Sequence, residues 1–316
     1  MVYYWVSLYR RLSPTWGRKS LIRLIAGLVT GLLNLTLCVA AIAAEAPLNL
    51  CTGGPEGNYF AAGRAMAAHA NPRYLKITVV ETAGSMDNMQ RMERRECGAA
   101  IVQSDAFLVY QSRHSGKPVE ITRNRFLYAE YAQLVCRRDA NINTIGDLLK
   151  NSAKHKMLVG APGSGSAMTW HAFTLLDGRY GALPSEDIGG KDAIRSILDA
   201  QAQCLFFVSG LGSEFARTLD QRGKDLRLVP ITETVLRTAE FGATTLYETR
   251  DIPKGYYPNL EVGVPGSGIA TLTVGATLVI DRHWSDRYPN GPSALLGAVT
   301  GATPSIDQRA LSGLKN

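Results

Sequence analysis

Short apolar runs followed by longer helical stretches, with small polar residues at the joints, recur along the chain from residue 48 onward. The first run, residues 48–52, breaks into Thr52-Gly53-Gly54-Pro55-Glu56-Gly57-Asn58 and reopens as a predicted helix over 59–70, which Asn71-Pro72 ends. Residues 77–81 alternate β-branched and other side chains and predict a second strand. Ser85 caps a helix running toward Arg95, and after Cys97-Gly98 the run 99–103 predicts a third strand. A β-α-β-α-β order of this kind makes a parallel sheet, because crossovers between parallel strands keep one hand. Met86, Met89 and Met92 read as core packing on the second helix.

Residues 126–137, FLYAEYAQLVCR, form a long apolar and aromatic stretch interrupted by Glu130 and Gln133, read here as a crossing between lobes. A second β-α series follows: a polar turn at 139–143, a short helix at 145–150, strands at 157–160, 205–208 and 226–230, and helices at 166–176 and 191–200. The halves rhyme, since MERRECGAAIVQSD and LDAQAQCLFFVSG each run from a helix end through a cysteine and an apolar strand to a serine-containing turn. Beyond Pro230 the pattern is weaker. It predicts a turn-rich segment at 252–258, an alternating strand at 269–280 returning to the first lobe, a loop with one helical turn at 281–291, and only a weak helical pattern at the end. The expected architecture is α/β, two lobes of mostly parallel sheet flanked by helices, with residues 45–137 and 236–316 in lobe 1 and 138–235 in lobe 2.

A strand feeding a glycine-rich loop and then a helix aims unpaired N–H groups and the positive end of the helix dipole at one spot, which suits an anion. Four such joints occur, at 52–58, 101–105, 158–166 and 206–210, and in an open α/β sheet they converge at the carboxyl ends of the strands. The candidate ligand contacts are therefore Thr52, Gly53, Gly54, Asn58, Tyr59, Gln103, Ser104 and Asp105 from one side, and Gly163, Ser164, Gly165, Ser166 and Ser209 from the other. For any single serine or glycine in this set, capping or turn-making explains its presence equally well.

Composition adds limits. The chain has 316 residues, 46% hydrophobic and 19% charged, enough for two packed lobes and too apolar for disorder. Residues 1–44 have the form of an export signal: five basic residues, an uncharged run over 24–44, and Ala41-Ile42-Ala43-Ala44 as a cleavage site near Ala43 or Ala44. Some twenty uncharged residues also suffice for an uncleaved membrane anchor, whereas Leu37 before Cys38 argues against lipidation. Without this segment the chain keeps 29 Lys and Arg against 27 Asp and Glu, a balance of +2, so the basic character gives no reason to expect nucleic acid. Cys51, Cys97, Cys136 and Cys204 remain; export permits disulfides, but four cysteines allow three complete pairings, and their spacing is no metal pattern.

No catalytic constellation emerges. The five histidines are scattered, without HExxH or Cys-His zinc spacing. Ser164 and Ser166 stand on a strand-to-helix turn but not in G-x-S-x-G, and His171, five residues past Ser166 on a helix, points about 140° away around the axis. There is no P-loop lysine and no Rossmann glycine spacing. The expectation is a site that binds without chemistry, with neither cofactor nor metal.

The same residues carry a family resemblance. Thr52-Gly53-Gly54 with Gly57-Asn58-Tyr59-Phe60 and Gly63 resembles the T-G-(S/G)-x-x-G-x-Y-Y-x-x-G motif of TAXI-type solute-binding proteins, receptors associated with some TRAP transporters. Ala99 through Asp105, Val159 through Ser166, Phe206 through Gly210, Leu226 through Pro230, Ile252-Pro253 and Tyr257-Pro258 continue it in the same order. The resemblance implies a two-lobed periplasmic binding protein (type II) that closes on a small organic anion or amino acid and presents it to a TRAP-type membrane permease. A ligand sensor feeding a signalling partner and an enzyme on a similar fold are the competing classes. Two departures bear on ligand identity: Cys51 stands where family members usually have glycine, and Pro55-Glu56 places an acid in the loop.

Overall fold

In the computed structural model the described residues are 45–113, 119–150, 154–241, 244–263 and 266–311; the expected export signal lies outside them. Strand β1 (Ala46–Cys51) buries Ala46, Leu48 and Leu50 and exposes Pro47 and Asn49, the two-residue period that sets one face of a strand on a core. It pairs in parallel with β2 (Leu75–Val80) and β3 (Ala99–Gln103), as the β-α-β-α-β pattern predicts. All five residues of β3 are buried because helices cover both faces. The helices between these strands are α1 (Asn58–His69) and α2 (Ser85–Glu93), followed by α3 (Ala106–Arg113). Helix α1 lies close on the sheet only because residue 63 is glycine: a Cβ there would come within 2.7 Å of the Thr52 methyl and 3.1 Å of Val79.

The second half holds β5 (Met157–Leu158), β6 (Ser185–Glu186), β7 (Cys204–Ser209) and β8 (Leu226–Val229), with helices α4 (Gly165–Leu176), α5 (Gly190–Leu198) and α6 (Glu214–Arg222). A small hairpin of β9 (Glu240–Phe241) and β10 (Thr244–Thr245) leads to β11 (Tyr247–Pro253). Strand β5 pairs in parallel with β6 and β7. With β4 (Ile121–Arg137) and β12 (Gly268–Asp281) between them, two parallel triplets thus stand at the ends of one ten-stranded sheet, ordered β2-β1-β3-β12-β4-β7-β5-β6 with β11 beside β12 and β8 beside β4.

Two long strands join the triplets. The 17 residues of β4 (Ile121–Arg137) pair with β12 (Gly268–Asp281) from Ile121 to Tyr131, then with β7 and β8 from Tyr131 to Arg137. Strand β12 in turn pairs with β11 up to Val274 and with β3 from Ala276 onward. The apolar stretch marked as a crossing is therefore the second half of a strand running through both halves. Side-chain packing follows this division only in part: two apolar clusters surround β1, β3 and the helices α1 and α2, and two surround β5, β7 and α4 to α6, but Met168 and Ala172 of α4 pack into the cluster of Met86, Met89, Val109 and Tyr110 in the first half.

The late chain differs from the weak pattern expected. Arg282–Arg287 is helical, with the Asp281 side chain accepting from the Trp284 N–H at its start. Helix α7 (Gly291–Leu311) extends 21 residues and packs along α1, with Gly301 against the His69 ring. Its buried Leu295, Ala298, Val299, Ala302 and Ile306 follow helical spacing. Three glycines, Pro304 and the hydroxyl residues among them dilute that signal in the sequence. The run Tyr247–Pro253 is a strand although its end reads as turn. Of the three pairings open to the cysteines, the structure takes Cys51–Cys97, with Cα atoms 5.9 Å apart, and Cys136–Cys204, directly opposite each other on β4 and β7 at 4.1 Å.

Candidate functional site

The four predicted joints meet. The turn at Ala83-Gly84 touches Gly163, Ser164 and Gly165 of the second half, and Gly84 and Gly163 have positive φ (122° and 77°), which lets the two backbones approach. A Cβ on Gly165 would run into the Gln103 carboxamide, and one on Gly210 would stand 2.9 Å from Asn58 Nδ2. Loops from both sides of the crossing strands thus stand tip against tip.

Most of the expected contacts have structural partners. The Thr52 hydroxyl donates to the Val80 carbonyl at 2.8 Å, and its carbonyl accepts from Asn88 Nδ2 at 2.6 Å. Gly53 is buried against Tyr59, while Gly54 is exposed and its carbonyl accepts from the Gly57 N–H. Ser104 donates to the Leu246 carbonyl and accepts from the Gly275 N–H. Ser164 is the N-cap of α4, its Oγ accepting from the Ala167 N–H at 3.2 Å. Ser166 Oγ accepts from the Val208 N–H at 3.0 Å, tying α4 to β7. Ser209 shares its hydroxyl with Ser213 and accepts from Gln133 Nε2 at 3.2 Å.

A cavity of about 270 Å³ opens between the halves along α4, lined in part by Met86, Arg113, Gly163, Ser164, His171 and Asp187. It combines the cap of a helix, a guanidinium, a carboxylate and an imidazole around an apolar wall. Burial pulls the His171 ring below its usual range, and the Arg113 charge pulls the same way against Asp187, so the ring is neutral near pH 7.

Behind the loop tips lies a second polar group, on one face of the sheet at the crossing. Tyr59 donates to Glu130 Oε2 at 2.8 Å, and Tyr247 donates to Asp105 Oδ2 at 3.0 Å. Glu130 is 7% exposed and Asp105 fully buried. Burial pushes the Glu130 carboxyl up to about 7, opposed by the Tyr59 hydroxyl and helped by the nearby Asp105. Burial likewise raises Asp105 to about 6, against the pull of the Thr169 and Tyr247 hydroxyls. No Lys, Arg or His among the described residues forms an ion pair with either acid.

A family model describing NMT1-like proteins matches residues 50–286, most of the chain and the whole span carrying the joints and the crossing strands. The chain belongs to the NMT1-like family. Among solved structures, the alkanesulfonate-binding protein SsuA from Xanthomonas axonopodis pv. citri, bound to MOPS, shares the fold at a TM-score of 0.50 and 12% identity, over 87% of this chain and 78% of that one. The GluR0 ligand-binding core from Nostoc punctiforme in complex with L-glutamate aligns at 0.49 and 11% identity, over 83% of this chain and 98% of that one. A TctC solute-binding protein from Polaromonas aligns at 0.45 and 17%, over 85% and 86%.

Within this NMT1-like chain, sequence reasoning missed the functional candidates Glu130, Tyr247, Arg113 and Asp187. Glu130 was visible as an acid breaking an apolar strand, the pattern that marks a buried polar group. Arg113 at the end of α3 and Asp187 just after β6 line the same cavity only through tertiary packing and carry no local signal.

Proposed function

We propose that this NMT1-like protein is an extracytoplasmic solute receptor of the TAXI type, which captures a small organic anion or amino acid by closure of its two halves and delivers it to a TRAP-type membrane permease. The observation that carries this reading is the joint. The strands β4 and β12 run through both halves while glycine-rich loops from each half meet across the gap, the geometry of a hinge with its jaws shut. A ligand that touches both jaws shifts such a two-state equilibrium toward the closed form. The lobe limits 45–137, 138–235 and 236–316 belong to the proposal, as do Asn58, Tyr59 and Gln103 on one jaw and Ser164, Ser166 and Ser209 on the other. For hydroxyls already bonded within the protein, opening and closing must exchange those bonds for ligand contacts, each contributing about 0.5–1.5 kcal/mol net.

Native mass spectrometry of the purified protein, followed by calorimetric titration of whatever small molecule it carries, tests this. A bound organic acid or amino acid released unaltered, with scattering that shows a more compact protein when it is present, is the expected result. Turnover of the bound molecule, or a protein that holds no small molecule and keeps one shape, overturns it. Co-purification with a signalling protein in place of a permease assigns the same receptor to sensing.

A further inference from the structure

The register of the crossing strands brings acceptors together on one face of the sheet. Gln103 and Tyr128 flank Ala276 on neighbouring strands, and one step along the same face Glu130 and Tyr247 flank Val274. The floor between them is therefore two small or medium apolar side chains. Ser85 links the set: its Oγ accepts from the Gln103 N–H at 3.1 Å and lies beside the Tyr59 hydroxyl that donates to Glu130. Helix α4 roofs the group from the other half, with Gly165 against the Gln103 carboxamide and Thr169 beside Asp105.

What this buried set of side chains lacks, among the described residues, is a donor with positive charge. Two carboxyls are buried here without an ionic partner among the described residues, and Gln103 Oε1, on a side chain only 1% exposed, has no donor. Buried carboxyls ordinarily come with a cation or a metal, and an unpaired buried acceptor is costly. Among the described residues no group of three or more His, Cys, Asp or Glu is placed to hold a metal ion. An ammonium group brings three donors and one positive charge, which matches an acceptor-rich, cation-poor cluster. Its roof and floor come from opposite halves, so parting them gives a ligand access.

We propose that Glu130, Asp105 and Gln103 form a subsite for a positively charged nitrogen of the ligand, so that the solute is an amino acid or another amine and not a purely anionic acid. This rests on the receptor reading above and narrows it. Tyr59 and Tyr247 donate to the two carboxyls in the structure; with ligand, the ammonium takes a place beside them and both acids are held ionised.

The test is isothermal titration of the mature chain with matched pairs that differ only at the nitrogen: the common amino acids, L-glutamate first, against their 2-oxo acid counterparts, 2-oxoglutarate first. Native mass spectrometry of the protein as purified identifies a ligand outside this panel. The expected result is that the bound species carries a cationic nitrogen, that its deaminated counterpart binds at least tenfold more weakly, and that Glu130→Gln weakens the amine tenfold or more. Gln103→Leu provides an independent second variant with the acids intact and should weaken the amine severalfold. An acid without cationic nitrogen that binds as tightly as its amine counterpart overturns the subsite while leaving the receptor intact. So does unchanged amine affinity in a folded Glu130→Gln protein. A protein that binds no small molecule in either experiment overturns both.

Discussion

Replacing Glu130 by Gln removes a titrating group from the crossing of the two long strands while leaving an oxygen to accept the Tyr59 hydroxyl. With its carboxyl raised to about 7 by burial, the folded chain keeps a proton that the unfolded chain gives up near the ordinary carboxylate value. Between those two points the unfolded state binds fewer protons, so stability present at low pH is lost as pH rises through the folded value. From about pH 5 to about pH 8.5 the loss from this one group is about 2.5 kcal/mol. At roughly 2 °C per kcal/mol for a body of this size, the ligand-free parent loses about 5 °C of Tm that the Gln variant keeps. Asp105 adds loss of the same sign, common to both proteins, so the difference between their profiles isolates Glu130. Scanning calorimetry in matched buffers across that range reads it directly. Parallel Tm profiles for parent and variant, or a variant that loses ground at high pH, would refute the assignment of a buried, proton-holding carboxyl.

Ser164→Ala removes the N-cap of α4 and should cost about 1 kcal/mol in chemical denaturation, while the ligand-induced rise in Tm shrinks by more than that loss explains; equal shifts in variant and parent would remove Ser164 from the site. Asn88→Ala should be among the most damaging single changes, by about 3 kcal/mol, because the fully buried amide donates to the Thr52 and Ile101 carbonyls and accepts from Thr82; urea midpoints measure it. Replacing Cys136 and Cys204 together by Ala, which opens a closure of 68 residues, should lower stability by about 4 kcal/mol, and the same change at Cys51 and Cys97 by a similar amount; denaturation of each double variant checks this.

Legibility in the sequence followed the strength of local signals. The first β-α-β-α-β unit was readable to within two residues, the strands expected at 48–52, 77–81 and 99–103 lying at 46–51, 75–80 and 99–103, because these runs are largely apolar and are bounded by Asn71-Pro72 and Cys97-Gly98. The convergence of the joints was readable from topology alone. Helix α7 was not, since its buried stripe of Leu295, Ala298, Val299, Ala302 and Ile306 is small and diluted by glycine. The polar site was half legible. Hydroxyls such as Thr52, Ser104 and Ser166 were marked for a ligand by residue type, yet each has a backbone partner fixed by tertiary packing that no spacing reveals. Conversely, Tyr247 and Asp105 lie 142 residues apart and meet only because β11 and β3 share a side of β12.

The placement of the disulfides bears on how the molecule wears in use. One staple lies within the β1–β3 part and the other between β4 and β7, and neither links the β1–β3 triplet to β5 or β6. Covalent stiffness is thus confined to two separate regions, and among the described residues the long strands β4 and β12, paired side by side, join them in sheet form. Mild reduction should therefore loosen each region without freeing the joint, whereas a cross-link placed from one region to the other would freeze the protein in a single posture.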